Sequence, residues 1–431
     1  MFNPAVISIL LLSFLCLKKV NVLLAIIIST IIAGLFSGME IESIMSTFIS
    51  GMGGNSETAL SYILLGAFAA TMAYSGFTNL LSRNIAKIIA GKKYLLFLIL
   101  LIISMFSQNI IPIHIAFIPI LIPPLLSTMN LFNIDRRVIA CILAFGLKMP
   151  YITFPVGFGL IFHNLLADNL IQNGVNVLRS DIWKSTLILG FAMITGLLIS
   201  FYIYRKPRFY ENKPISLDES VALKCSNYTT LVIILSAILT FIVQLFTHSL
   251  PLGALVGLGV IFTFKIIPKE KMDVMMNEGI YLMGYVAFVM LVAAGFASVL
   301  KSSGAIDSLV NSVIAILPNS IILTSVLILV LGLFITIGIG SSFGTIPILA
   351  VLFVPICVKM GFNVSQTILL IAAAAALGDA GSPASDTTLG PTAGLNADGQ
   401  HNHIYDTCIP TFLLYNIPLI LFAILGIYLM N

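Results

Sequence analysis

Charge is what this sequence has least of. Only 9% of its 431 residues are Asp, Glu, Lys or Arg, against 59% hydrophobic, and the mean hydropathy is +1.10. Soluble domains carry about 25% charged residues. No water-facing fold could hide this much apolar surface, so the chain reads as a polytopic membrane protein. Cysteine is scarce too. Cys16, Cys141, Cys225, Cys357 and Cys408 stand singly with no CxxC pair, which speaks against a zinc ribbon or a disulfide framework. Walker A, GxSxG and HExxH motifs are all missing, so an ATP-driven pump, a membrane hydrolase and a protease lack support, and the chain reads as no enzyme. A thinly spread net charge of +4 offers nucleic acid no patch. No cleavable leader is expected, because Lys18 and Lys19 follow the first apolar run instead of preceding it.

What the sequence has is long apolar runs. A spanning helix needs about 20 apolar residues. Spans are predicted near 5–17, 20–38, 58–75, 137–169, 182–204, 228–246, 252–267, 281–300, 364–395 and 409–430, with 137–169 and 364–395 interrupted. Two more stretches, 94–129 and 321–358, are too long for one span, and polar residues, Gly or Pro cut each near its middle.

The sequence also matches itself. Shifted by 228 positions, Ser75-Gly76 lies on Ser303-Gly304, Ile118-Pro119-Ile120-Leu121 on Ile346-Pro347-Ile348-Leu349, and Pro155 on Pro383. The order of spans repeats as well. The expected fold is therefore an all-α polytopic membrane protein with two repeats, 1–204 and 228–431, joined by a polar cytoplasmic linker, 205–227. If each long interrupted stretch is a re-entrant helical hairpin, each repeat makes five crossings and carries one broken transmembrane helix. An odd count inverts the second repeat relative to the first, a common plan of secondary transporters. The charges agree. With both termini outside, most of the 21 Lys and Arg fall inside. Only Arg179, Lys184, Lys301 and Lys359 lie outside, and Lys148 alone stays within the membrane.

Non-helical backbone survives in a membrane only where it lines a wet cavity or is buried in protein. The four helix breaks are therefore where chemistry is expected. The hairpins turn near Ser107–His114 and Gly338–Thr345, and the broken spans near Lys148–Gly157 and Gly378–Thr388. Free carbonyls, hydroxyls and carboxylates at such breaks suit Na⁺, and free N–H groups suit a carboxylate. Asp379 and Asp386 are the sharpest candidates, because an ionised group in the membrane usually marks an ion or proton path. One of the two could instead cap the restarting helix. Ser382, Ser385, Thr387, Asn109, Ser341, Ser342 and Thr345 are proposed as oxygen ligands, with ordinary capping as the alternative. Lys148 could neutralise an Asp or hold a substrate carboxylate, or it could snorkel to the interface. His114 could carry protons or serve as a structural histidine. His401 and His403 with Asp398 and Asp406 look like a metal cluster, but they are expected in a short loop and read better as a solvated segment or a pH sensor. No metal site is assigned beyond transported Na⁺.

From Gly378 through Gly394-Leu395-Asn396-Ala397-Asp398-Gly399-Gln400-His401, and on through Asp406-Thr407-Cys408-Ile409-Pro410-Thr411-Phe412, the chain resembles the NhaC-like Na⁺/H⁺ antiporter family. The hairpins and broken spans are similar to those of the wider ion transporter superfamily. The resemblance implies Na⁺ and H⁺ as transported or coupling ions, no other cofactor, a unit of hairpins and broken helices moving against a scaffold, and a homodimer in the inner membrane of a bacterium. Dicarboxylate carriers of that superfamily bear Ser-Asn-Thr-like hairpin tips. Here those positions read Ser107-Gln108-Asn109 and Ser341-Ser342-Phe343. Some NhaC-like proteins resemble amino-acid carriers, including carriers of basic amino acids such as histidine. Two functions stay open at this point: Na⁺/H⁺ antiport, and Na⁺- or H⁺-coupled amino-acid uptake. A non-transporting sensor or assembly subunit fits poorly, since the loops are short.

Overall fold

The computed structural model describes residues 3–18, 20–77, 92–109, 121–211, 225–247, 249–305, 320–383 and 385–430, with the isolated positions 80, 84, 88 and 118. Among these residues there are helices and no strands. In chain order they are α1 (Pro4–Leu17), α2 (Val22–Phe36), α3 (Ile41–Met52), α4 (Ser56–Tyr74), α5 (Lys93–Asn109), α6 (Pro123–Leu131), α7 (Arg136–Thr153), α8 (Phe158–Gln172) and α9 (Arg179–Ile203). After the linker come α10 (Asn227–Thr247), α11 (Leu250–Thr263), α12 (Met272–Ser302), α13 (Ile321–Ile339), α14 (Ser342–Lys359), α15 (Val364–Ala376), α16 (Asp386–Leu395) and α17 (Ile409–Leu429). Among the described residues, five helical segments are long and apolar enough to cross a membrane, and a sixth is the bent pair α7–α8, whose axes turn by 47°. Several shorter apolar helices accompany them.

The spacing of 228 recurs in the helix starts. Val22 and Leu250, Lys93 and Ile321, and Arg136 and Val364 each open a helix. Ser75-Gly76 and Ser303-Gly304 both close one, with φ of 77° and 67° at the glycines. The correspondence has one clear exception. Residues 272–302 form a single helix of 31 residues, whereas the matching part of the first half is split into α3 and α4 by a 3₁₀ turn at Gly53–Asn55. Two successive glycines weaken a helix interior, and nothing of the kind stands at Tyr281 and Leu282.

Apolar lipid gives helices little reason to associate, so packing depends on small residues that let backbones approach. The α4–α12 crossing is of this kind. A Cβ added to Gly66 would lie 2.6 Å from Gly279 O, and one added to Gly279 would lie 2.3 Å from Ala67 N. Helices α2, α3 and α11 pack around this pair. A second group centres on α7, α9 and α15, with α5, α8, α13, α14, α16 and α17 against them. The broadest contact between the two groups is α12 on α14.

The break between α15 and α16 is built by its own residues. Leu377 is extended, and Gly378 and Gly381 take φ of 81° and 101°. At Gly381 a Cβ would also stand 2.3 Å from Phe412 Cβ on α17. Gly381→Ala should therefore cost about 2–4 kcal/mol, from backbone strain and overpacking together. Thermal unfolding in detergent checks this, with Gly390→Ala, which meets nothing within 4 Å, as the near-neutral control.

Candidate functional site

Two helix ends meet at the centre of the second group. α7 stops at Thr153 because Phe154 precedes Pro155 and is pushed into extended backbone, at φ −117° and ψ 131°. α15 stops at Ala376, after a run of five fully buried alanines from Ala372. α16 restarts at Asp386 with Ser385 as its N-cap, whose Oγ accepts from Thr387 N at 3.1 Å. The capping role proposed for an Asp thus belongs to Ser385.

Asp379 lies in the second break, 4% exposed. Its Oδ2 accepts from Tyr151 Oη at 2.7 Å and from Ser342 Oγ at 2.8 Å. Its Oδ1 accepts a short hydrogen bond from Ser385 Oγ. Thr387 Oγ1 is 2.8 Å from Ser385 Oγ and donates to Asp379 O at 3.2 Å. Lys148 is fully buried. Its ammonium donates to Ala376 O, a carbonyl freed by the end of α15, and stands 3.9 Å from Asp379 Oδ2. A cation at a helix C-terminus is favourable, and here a carboxylate faces it as well. Three hydroxyl donors and one ammonium therefore surround one buried carboxylate.

Other proposed ligands sit elsewhere. Ser341 caps α14, accepting from Gly344 N at 3.3 Å. Thr345 bonds back to Ser341 O and Ser342 O at 3.2 and 2.9 Å, within its own helix. Ser382 donates to Ile337 O at 2.9 Å. Asn109 ends α5 and Asp386 opens α16, but their side chains lie outside the described atoms, as does all of His114.

Tyr151 is a residue that sequence reasoning passed over. The signal was the self-match itself. Tyr151 and Asp379 are 228 positions apart, and so are Lys148 and Ala376, and both aligned pairs touch. Phe343, beside Ser342, was also missed. Its ring packs on Tyr151 at 5.1 Å and on Tyr62, Phe158 and Phe162 at 5.8 Å each. Asn416 on α17 clamps the break from behind, accepting from Gly378 N at 3.1 Å and donating to Ala380 O at 3.0 Å.

The loop after α16 is not solvated as expected. Asp398, His401 and Asp406 are buried, with His401 only 2% exposed. Asp398 takes two hydrogen bonds from the fully buried Arg136, at 2.7 and 2.5 Å, and Asp406 takes one from Arg208 at 2.7 Å. Burial works to raise the Asp398 carboxyl, but the hydrogen bonds and charge of Arg136 outweigh it and hold the group below its ordinary value. These carboxylates are committed to arginines, and the described residues include no His/Cys/Asp/Glu cluster arranged to hold a metal.

Comparison with known proteins agrees with this architecture. The Na⁺/H⁺ antiporter family matches residues 142–427, and a second Na⁺-H⁺ antiporter family description matches residues 3–89. A membrane protein of Vibrio parahaemolyticus is 46% identical over 435 residues, and the provisionally named amino acid transporter YuiF of Bacillus subtilis is 46% identical over 439; both alignments cover 98% of each chain. Among solved structures, the YdaH transporter of Alcanivorax borkumensis superposes with a TM-score of 0.59 at 15% identity, over 90% of this chain and 89% of that one. MtrF of Neisseria gonorrhoeae, placed in a class of antimetabolite efflux pumps, gives 0.53 at 15% identity, over 89% and 84%. At that identity the two structures speak for the fold alone. The full-length relatives and the family match say more: this chain belongs to the Na⁺/H⁺ antiporter family and is a secondary transporter of the membrane.

Proposed function

We propose that the chain exchanges Na⁺ for H⁺ across the cytoplasmic membrane by alternating access, with Asp379 as the carboxylate that binds Na⁺. The observation that carries this reading is the buried Asp379 carboxylate, ringed by the Tyr151, Ser342 and Ser385 hydroxyls with Lys148 at 3.9 Å. Each hydroxyl oxygen has lone pairs. Turned around, the same groups with Thr387 offer a hard cation an oxygen shell. At an effective dielectric of about 20, opposite charges 4 Å apart attract by about 4 kcal/mol. Na⁺ and the Lys148 proton therefore compete for one carboxylate, which is the logic of exchange. The recurring spacing of 228 supports two repeats, 1–204 and 228–431, of opposite orientation, with linker 205–227 on the cytoplasmic side.

A second reading has its own support. Lys148 and Asp379 present the two opposite charges that a zwitterion needs, 3.9 Å apart, and YuiF carries the name of an amino acid transporter. In that case Lys148 holds the substrate carboxylate and Asp379 its ammonium, and Na⁺ or H⁺ drives uptake. Proteoliposomes with a trapped pH dye and clamped potential separate the two. Collapse of an imposed pH gradient by Na⁺ or Li⁺ supports antiport. Silence with every cation, in tight vesicles that accumulate labelled histidine, arginine or lysine, supports the permease.

Tyr151→Phe tests the shell. It removes one oxygen that faces a buried charge, an interaction of about 1.5–3 kcal/mol. The Na⁺ concentration for half-maximal exchange should rise about tenfold or more, with the maximal rate much less changed. An unaltered Na⁺ dependence would take Tyr151 out of the shell.

A further inference from the structure

Away from Asp379, four side chains form an unbroken hydrogen-bonded line. His403 Nε2 lies 3.0 Å from Pro383 O in the second break, and His403 Nδ1 lies 2.8 Å from Thr392 Oγ1 on α16. Thr392 Oγ1 donates to Thr407 Oγ1 at 3.0 Å, and Thr407 Oγ1 is 2.7 Å from Nε2 of the buried His401. The donor directions follow from counting protons. Pro383 O can only accept, so His403 Nε2 carries a hydrogen. Thr392 spends its one proton on Thr407, so it must receive one from His403 Nδ1. In this arrangement both nitrogens of His403 donate, which is the form that carries the extra proton. Thr407 is left with its proton to give to His401 Nε2, which places the hydrogen of His401 on Nδ1. That atom is buried with no hydrogen-bond partner among the described residues.

We propose that His403, Thr392, Thr407 and His401 form a proton relay, a second proton-binding site separate from Asp379 and tied to the break through Pro383 O. The transfer balances. The Nδ1–H bond of His403 breaks as an O–H bond forms on Thr392, the former proton of Thr392 passes to Thr407, and that of Thr407 passes to His401 Nε2. Each hydroxyl ends with one proton, pointing the other way, and the positive charge has moved from His403 to His401. The groups facing the pair are Asp406 and Cys408 on the same segment, Asp135 and Arg136 at the start of α7, and Arg208 in the linker. Burial pushes the His401 imidazole down to about 4; Asp406 and Asp135 oppose this, and Arg136 and Arg208 add to it. Burial thus disfavours charge at the His401 end of the line.

The relay rests on the exchange reading only for its use, so its test reads protons and not transport. The full chain with ¹⁵N-labelled histidine, in lipid nanodiscs, is titrated over about pH 5–8. His401→Gln and His403→Gln assign the signals. In the unaltered protein the His401 ring nitrogens should respond in the same step that protonates His403. Thr392→Val cuts the line and leaves both imidazoles in place. It should abolish that linked response. Should Thr392→Val fail to fold, Thr407→Val breaks the same line, and Thr407→Ser should restore it. Identical histidine titrations in the unaltered and cut proteins would overturn the relay. Linked titration persisting in Asp379→Asn, where ion exchange is lost, would show the two sites to be separate.

Discussion

Asp379→Asn should abolish coupled exchange, lowering it by at least about a hundredfold. The substitution keeps the size of the side chain and one acceptor oxygen for Tyr151 and Ser342, but removes the charge that Lys148 faces at 3.9 Å. Without it, Na⁺ meets no counter-charge in a buried site, a cost of several kcal/mol, and each 1.36 kcal/mol is tenfold. Exchange measured by dye in proteoliposomes checks this, with equal protein incorporation as the control. Asp386→Asn alters the first turn of a helix that Ser385 already caps, and should act less. Full exchange in Asp379→Asn with loss in Asp386→Asn would reverse the assignment.

The second large effect concerns folding. Asp398→Ala leaves Arg136 fully buried with its charge uncompensated, and should cost about 3–5 kcal/mol. Arg136 also donates to Leu395 O and Asn130 Oδ1, each at 2.9 Å, and stacks on the Tyr210 ring at 4.2 Å. It therefore ties the start of α7 to the end of α16 and to the linker. The double change Arg136→Met with Asp398→Leu should recover much of the loss, because it removes both desolvation costs. By contrast, Arg179 and Asp168 are half exposed, and breaking that pair should change stability by about 0–1 kcal/mol. Unfolding in detergent micelles ranks the three. The pH dependence has a definite sign. The folded-state value of Asp398 lies below its unfolded one, so the stabilisation is complete above the unfolded value and is lost as acid takes the pH down through the folded one.

Composition and periodicity made the helical membrane fold legible, because few other structures satisfy backbone groups in lipid. The positions of the breaks were legible too, from Phe154-Pro155 and from the glycines around Asp379. Pairing across the breaks was not. Asp379 and Asp386 are equivalent as letters, and only packing brings Tyr151 and Ser342 from distant helices to one of them. Arg136 looked like any loop-end cation, since its partner is 262 positions away. The buried loop after α16 was misread for the same reason. Its polar residues suggest water, but arginines contributed by α7 and the linker satisfy its carboxylates.

The glycine crossing of α4 and α12 bears on where this protein can slide. Backbones that touch through Gly66 and Gly279 interlock like gear teeth, and any axial slip would drive a carbonyl into a neighbouring chain. The Tyr62–Phe343 contact is different in kind: an edge-to-face ring pair whose centroids lie 5.8 Å apart. Sliding within the α4–α12 pair is therefore sterically blocked, so any rearrangement of the bundle would carry those two helices together.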